Sequence, residues 1–555
     1  MTPHKTRPLN AATKLVGLAV AAAMTAAVGC TDSGGGGNGT AGTTGTAGTS
    51  GTGGSIGTAG TGGDGSGTGG TGGSTAGTGG STTGTGGSTT GTGGSTTGTA
   101  GSSTGGSTAG TGASGTGGSA AGGSTAGTGG SGTGGAGGDP LVPTLTPVEA
   151  TAARTLGPLP AVPANTTNMY ADMPTAATLG QRLFFDKRYS GALATTEDPL
   201  IGGLGTMGDT GKIACASCHA GRGLDDRRSK PGNVSLGADF LSRNSLPLVN
   251  SSFYQWTNWA GRFAAQWELP MAVVENAKNM NGDRMRVVHL IFDKYKADYE
   301  AVFGGTLDAA IGTDAVRFPA SAKPKPAGGT DGPWEAMAAA DREIANRIFA
   351  NFGKALEAYM RKLVSRNAPL DRFVAGNVAA LGDDEIRGLK LFVGGANCIS
   401  CHSGPTMSDG GFHNIGVQQT GAHVPAADNG RFADVTPLVG SAFNVDGVYS
   451  DNRTSGRLTG LTATPPETDK GLFRTSSLRG IAETAPYMHA GQLATLEDVV
   501  AFYDRGGDAA AVGTKDAKMV PLGLSTRDRA DLVAFLRALS GDAVPAALLM
   551  DTSAP

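Results

Sequence analysis

Two pentapeptides, Cys215-Ala216-Ser217-Cys218-His219 and Cys398-Ile399-Ser400-Cys401-His402, set the tightest limit on what this chain can fold around. In each, two thiols three positions apart can add to the two vinyl groups of one haem, and the adjacent His can bring an imidazole nitrogen under the iron. With Cys30 they hold all five cysteines of a 555-residue chain that carries only seven histidines, so two accidental matches are a remote prospect. Four thiolates from two C-x-x-C pairs would also suit tetrahedral zinc, but zinc has no need of a His directly after both pairs. A disulfide within each pair would leave both histidines unexplained too. The spacing points to two covalently held c-type haems, with His219 and His402 as iron ligands.

Length alone would suggest three or four domains. The 95 glycines overturn that estimate, because most of them lie between residues 31 and 138 in a run of Gly, Thr, Ser and Ala. Such a run cannot bury enough apolar surface to offset its ordering entropy, and it reads as a disordered tether. As a Gly/Ser-like coil it would have an end-to-end distance of roughly 55 Å. Its recurring Gly-Gly-Ser-Thr-Thr-Gly-Thr units are low complexity and imply no solenoid. The expected organisation is a leader over 1–29, the tether over 30–139, haem domains over 140–378 and 379–543, and a tail over 544–555. A formal net charge of −3 argues against a nucleic-acid partner.

His4, Lys5, Arg7 and Lys14 precede an apolar run from Leu15 to Val28, the layout of an export signal and too short for a membrane span. It ends in Ala27-Val28-Gly29-Cys30, similar to a bacterial lipoprotein signal in which Cys30 is acylated and becomes the mature N-terminus. A plain secretory signal with a spare Cys is the alternative. Either sends the chain to the periplasm or beyond, and a lipid on Cys30 would anchor it to a membrane through the tether.

Past Asp139-Pro140 the composition becomes globular. Leu179, Leu183 and Phe184 share a helical face shortly before the first pentapeptide, and Ile386, Leu389 and Phe392 do so before the second. Gly180-Gln-Arg-Leu-Phe184 and Gly388-Leu-Lys-Leu-Phe392 share a pattern that suggests two related haem domains. Between them, Asp341 to Ser365 predicts a long amphipathic helix with Ile344, Ile348, Phe352, Leu356, Tyr359 and Leu363 inward. Thr495-Leu-Glu-Asp498 and Ser525-Thr-Arg-Asp528 each predict a capped helix start. The first helix turns Tyr503 inward, and the second turns Leu532, Phe535, Leu536 and Leu539 inward and stops by Gly541. No segment alternates with period two, so the fold is expected to be mostly α: two cytochrome c-like haem domains.

Over residues 170–543 the chain resembles the bacterial dihaem cytochrome c peroxidases and their relative MauG. The likeness rests on Leu179-Gly-Gln-Arg-Leu-Phe-Phe-Asp186, both pentapeptides in order, Arg243-Asn244, Trp259-Ala-Gly-Arg262, Phe412-His-Asn-Ile-Gly-Val417, Phe473-Arg-Thr-Ser-Ser-Leu-Arg479 and Thr484-Ala-Pro-Tyr-Met-His489. It implies that peroxide reacts at an open iron on His219 and that the His402 haem, closed on both sides, passes electrons. Tyr503 falls where these peroxidases have an axial Met and MauG an axial Tyr, so it is the favoured sixth ligand of the second haem. Met488, Met407 and Met519 remain alternatives. The resemblance further implies a calcium ion held by the Asn244 side chain and the carbonyls of Thr484 and Pro486, oxygen ligands that suit calcium. Trp259 is implied as the conduit between the haems, and Arg474, His413 and His489 as partners of haem propionates or of the fold. His289 reads as a satisfied core histidine.

The pattern departs from the family at the first haem. An ungapped count from Trp259 puts Leu269 and Asn279 at the family's distal Gln and Glu, and Ala238 near its distal His. Leu cannot shuttle a proton, and Asn279 can hydrogen-bond but is no base at neutral pH. A shifted loop would let Glu268 or Glu275 supply the carboxylate. The leading expectation is an exported dihaem oxidoreductase that reduces hydrogen peroxide with electrons from a small cytochrome c or cupredoxin. The alternatives are a MauG-like oxidase acting on a protein or organic substrate, and a dihaem electron carrier without peroxide chemistry.

Overall fold

The computed structural model describes residues 139–141, 144–195, 203–226 and 234–555. The leader, Cys30 and the tether up to residue 138 lie outside the described residues. What is described is mostly helical, with nine helices of eight or more residues. They are α1 (Pro147–Arg154), α2 (Pro174–Phe185), α3 (Glu268–Glu275), α4 (Arg284–Phe303), α5 (Ala339–Met360), α6 (Asp383–Val393), α7 (Arg431–Gly440), α8 (Leu496–Asp504) and α9 (Thr526–Arg537). The strands are two residues each, β1 (Phe412–His413) and β2 (Phe473–Arg474), paired antiparallel with Phe412 opposite Arg474. Among the described residues no helix is long and apolar enough to cross a membrane.

Two hydrophobic cores repeat one design. In the first, α2 crosses α5 and buries Leu179, Leu183 and Phe184 against Ile348, Phe352, Leu356 and Tyr359. In the second, α6 crosses α9 and buries Leu389 and Phe392 against Leu532, Phe535 and Leu536. Each such side chain, fully buried, contributes about 1.5–3 kcal/mol. Glycines set both crossings: a Cβ on Gly180 would lie 1.9 Å from the Ala355 carbonyl oxygen, and one on Gly388 would lie 2.1 Å from that of Asp531. Only a residue without a side chain allows backbones this close.

The cores do not divide the chain cleanly at 378/379. Leu141, Leu145, Ala150, Ala153 and Leu156 pack in the second core, while Leu438, Val445, Tyr449 and Val544 pack in the first. Thus α1 packs with the second core, and α7 with the segment after it packs with the first. The tail also lies on the first core, where Tyr359 Oη donates to the Leu548 carbonyl at 2.6 Å and Gln181 Nε2 to that of Ala547 at 2.8 Å.

The duplication extends into the loops. Ser251–Phe253 and Ile481–Glu483 are each a single 3-10 turn preceded by a left-handed residue, Asn250 (φ 63°) and Gly480 (φ 70°). Further on, Thr257 bridges Phe263 around Asn258 (φ 68°) and Gly261 (φ 68°), while Tyr487 bridges Leu493 around Met488 (φ 72°) and Gly491 (φ 68°). This common register makes Trp259 the counterpart of His489, Asn244 of Arg474, and Val249 of Arg479.

Candidate functional site

None of the four pentapeptide cysteines is in a disulfide. Among the described residues the only group of three or more Cys, His, Asp or Glu with ligand atoms within 4.8 Å of one another is Cys401, Asp409 and His413, so the two C-x-x-C pairs do not converge on a zinc site. Each His caps its own pair: His219 N–H donates to Cys215 O and His402 N–H to Cys398 O, both at 2.9 Å. Both imidazoles are then fixed alike. His219 Nδ1 lies 3.1 Å from the carbonyl of Leu224, and His402 Nδ1 lies 3.1 Å from that of Met407. Leu224 (φ 53°) and Met407 (φ 51°) take left-handed conformations that turn those carbonyls inward. With Nδ1 bound, Nε2 is the nitrogen presented to a metal. Burial lowers the pKa of both rings, which favours the neutral form a ligand needs.

Beside His402 lies a cavity of about 2330 Å³, open solvent at its mouth included, lined by Cys398, Cys401, His402, Trp259, Arg474 and Tyr503 among others. Burial pushes the Tyr503 phenol above its ordinary value, and the sulfurs of Cys398 and Cys401 add to the shift. Of the methionines, Met488 and Met519 line the same cavity. Met407 instead gives its carbonyl to His402 and its side chain to the second core.

The cavity wall fits a haem. Arg474 is 5% exposed, lies 4.1 Å above the Tyr254 ring, and its Nε meets no acceptor among the described residues. A buried guanidinium N–H without a partner is costly, and a propionate would satisfy it. His489 stacks on Phe473 at 4.0 Å and its Nε2 lies 2.8 Å from Gln419 Nε2, while burial lowers its pKa to about 4. His413 is clamped between Asp516 at 2.7 Å and Asp409 at 3.0 Å, a structural pairing. His289 Nε2 lies 3.2 Å from the carbonyls of Phe318 and Pro319 at the side of α4.

Trp259 joins the halves. Its Nε1 donates to the Asn244 carbonyl at 2.7 Å. Asn244 N–H donates to His489 O and Arg474 N–H to Trp259 O, each at 2.8 Å, a reciprocal pair between counterpart positions. Asn244, Thr484 and Pro486 line the same cavity.

On the first-haem side, Asn279 and Ala238 come together, Ala238 N–H donating to Asn279 O at 2.8 Å. The two alternative carboxylates sit in different surroundings. Glu275 takes Arg284 in a fork at 2.7 and 2.8 Å. Glu268 is 4% exposed, accepts Ala264 N–H at 3.2 Å, and has its Oε1 unpaired among the described residues. Burial first, with the nearby Glu357 of α5 opposing ionisation too, raises the Glu268 pKa well above its ordinary value.

Sequence reasoning missed the ion pairs that hold these loops. Arg243 binds Asp428 at 2.6 and 2.7 Å and Asp434 at 2.9 Å, and Arg479 binds Asp371. The signal available was the internal match of Trp259-Ala-Gly-Arg262 with His489-Ala-Gly-Gln492, which would have paired the two halves position by position.

Residues 174–379 match the model of the family described as di-haem cytochrome c peroxidase. The chain is 33% identical over 400 residues to the cytochrome-c peroxidase IdrP1 of Denitromonas iodatirespirans, covering 69% of this chain and 86% of that protein. It is 29% identical to the methylamine utilization protein MauG of Methylorubrum extorquens, covering 68% of this chain and 81% of that one. With the cytochrome c551 peroxidase of Pseudomonas aeruginosa the identity is 26%, over 65% of this chain and 78% of the relative. A chain with two haem-attachment pentapeptides, two matched His–carbonyl pairs and these relatives belongs to the di-haem cytochrome c peroxidase/MauG family, and is a dihaem peroxidase-type oxidoreductase with two c-type haems.

Proposed function

We propose that the protein reduces hydrogen peroxide in its first lobe, using electrons taken up by its second lobe from a small electron-transfer protein such as a cytochrome c or cupredoxin. The haems, when bound, supply one iron able to take peroxide and one that only exchanges electrons. What supports this reading is an asymmetry between equivalent helices. Tyr503 on α8 lines the cavity beside His402, and carrying the common register onward without a gap gives Val273 on α3 as its counterpart. A Val offers iron no ligand, so the first site stays open, while a phenol oxygen in the second can close it and stabilise the ferric state. Trp259, bonded to Asn244 and Arg474, offers an aromatic ring between the lobes, and Arg474 offers a propionate its unpaired Nε.

Calcium fits the wall shared by Asn244, Thr484 and Pro486, where a side-chain oxygen and two carbonyls would hold the lobes in register. Export with a lipid on Cys30 and a tethered enzyme in the periplasm complete the proposal.

A second reading, a MauG-like oxidase of a protein or organic substrate, is favoured by Tyr503, while Leu269 and Asn279, which leave the first site without a proton-shuttling Gln and Glu, favour an electron carrier without peroxide chemistry. Turnover assays on the holoprotein separate the two. Peroxide consumption coupled to oxidation of a reduced small cytochrome, lost in His219→Ala with both haems still attached, supports the peroxidase. Turnover that survives His219→Ala would refute it, and oxidation of an organic donor with none of the cytochrome would favour the oxidase.

A further inference from the structure

We propose that Arg479 is a positioning residue for the second haem: by gripping the loop after the second pentapeptide it fixes the carbonyl to which His402 donates, and so sets how strongly that ligand donates to iron. The inference rests on the reading of His402 as an iron ligand. It goes beyond it by naming a residue, remote from the iron, that tunes one haem and leaves the other alone.

Arg479 and Asp371 form an ion pair whose side chains are 3% and 4% exposed. The guanidinium forks onto both carboxylate oxygens at 2.8 and 2.9 Å, and its Nη2 also reaches the Leu156 carbonyl at 2.8 Å. The remaining edge is aimed elsewhere, as Nε donates to the Pro405 carbonyl at 2.5 Å. Pro405 is the midpoint of the loop from His402 to Met407. That loop turns on Gly404 (φ 68°) and closes with Met407 N–H on Gly404 O at 2.8 Å. Its last residue, Met407, has its side chain in the second core and its carbonyl 3.1 Å from His402 Nδ1. A rigid bidentate pair therefore holds the loop from the core side, and the loop ends in the acceptor that orients the ligand. A hydrogen bond from Nδ1 makes the imidazole a stronger donor and stabilises the ferric iron.

Among the described residues the first lobe shows no such clamp. The counterpart of Arg479 is Val249, which can hold nothing by hydrogen bonds. The residue three after His219, where the second loop has Pro405, is Arg222, which reaches outward to Glu483 at 3.2 Å and to the Gly541 carbonyl at 2.9 Å. The Leu224 carbonyl that fixes His219 is moreover shared with Leu248 N–H at 3.3 Å. Among the described residues the buried fork thus supports one proximal ligand and has no counterpart beside the other.

The test uses the holoprotein with Arg479→Lys, Arg479→Gln and Asp371→Asn. A redox titration resolves the two haems, and NMR of the ferric protein follows exchange of the His402 Nδ1 proton with solvent. The expected result is a raised potential for the His402 haem, at least tenfold faster exchange of that proton, and an unchanged His219 haem in all three variants. Unchanged exchange and potential, or equal shifts at both haems, would overturn the proposal. Loss of the second haem from Arg479→Lys would also overturn it, marking the residue as a determinant of folding alone. A pyridine haemochrome of the unsubstituted protein accounting for fewer than two haems would instead unseat the assignment of His402.

Discussion

Glu268 shows what burial does to a single carboxyl side chain. An ungapped count leaves it one residue away from the family's distal position, and burial on α3, with the nearby Glu357 of α5 adding to it, raises its pKa. A carboxyl whose folded pKa is raised stabilises the fold fully below its unfolded pKa of about 4.5 and loses that contribution as pH rises toward the folded value. Glu268→Gln removes the group that must ionise. Its thermal midpoint is expected to match the unsubstituted protein below pH 4.5 and to exceed it increasingly toward pH 8. A midpoint difference that shrinks as pH rises would show that Glu268 ionises easily, against this account. The two pentapeptides were legible from the sequence, because attachment chemistry demands Cys and His at fixed spacing. The supports of their histidines were not. The carbonyls of Leu224 and Met407 come from residues whose names carry no signal, and Arg479 meets Asp371 across 108 positions.

At the scale of elements, the apolar stripes of α2, α5, α6 and α9 were readable from i, i+3 and i+4 spacing, and the caps of α8 and α9 form as their sequences suggest. Thr495 and Ser525 each accept the backbone N–H three residues on. The long helix was expected to run to Ser365 and ends at Met360, because Lys362 and Leu363 tighten into i→i+3 bonds to Tyr359 and Met360. The stripe continues through that turn, so Leu363 is still buried. What the stripes could not reveal is which helix meets which, since crossings are set by small residues at long range. Gly180→Ala and Gly388→Ala are therefore expected to force α2 from α5 and α6 from α9. Each should cost about 1–3 kcal/mol or more of stability, read as a lowered thermal midpoint of the holoprotein. Substitution at an open glycine such as Gly395, which has no atom within 4 Å of an added Cβ, should cost far less. Equal effects at all three sites would contradict the crossing argument.

Across the whole molecule, a duplicated fold has been made asymmetric at a few positions. Shared loops put Trp259 opposite His489 and Asn244 opposite Arg474, with reciprocal backbone bonds tying the halves together. The differences include Tyr503 against Val273 and Arg479 against Val249, the positions on which the proposed roles of the two lobes rest. The repeat shows in the sequence only as short matches, Gly-x-base-Leu-Phe, the pentapeptides and Trp259-Ala-Gly with His489-Ala-Gly, because much of the equivalence is carried by left-handed turns that Asn, Met and Gly fill alike. Even the edge segments respect it, α1 completing the second core and residues 438–449 the first.

The central claim is that one iron is open and the other is closed by Tyr503, and low-temperature EPR of the ferric holoprotein addresses it directly. The expected spectrum contains a five-coordinate and a six-coordinate haem in equal amounts, and Tyr503→Phe should convert the second into the first kind. Two six-coordinate haems in the unsubstituted protein, or a spectrum that Tyr503→Phe leaves unchanged, would contradict it.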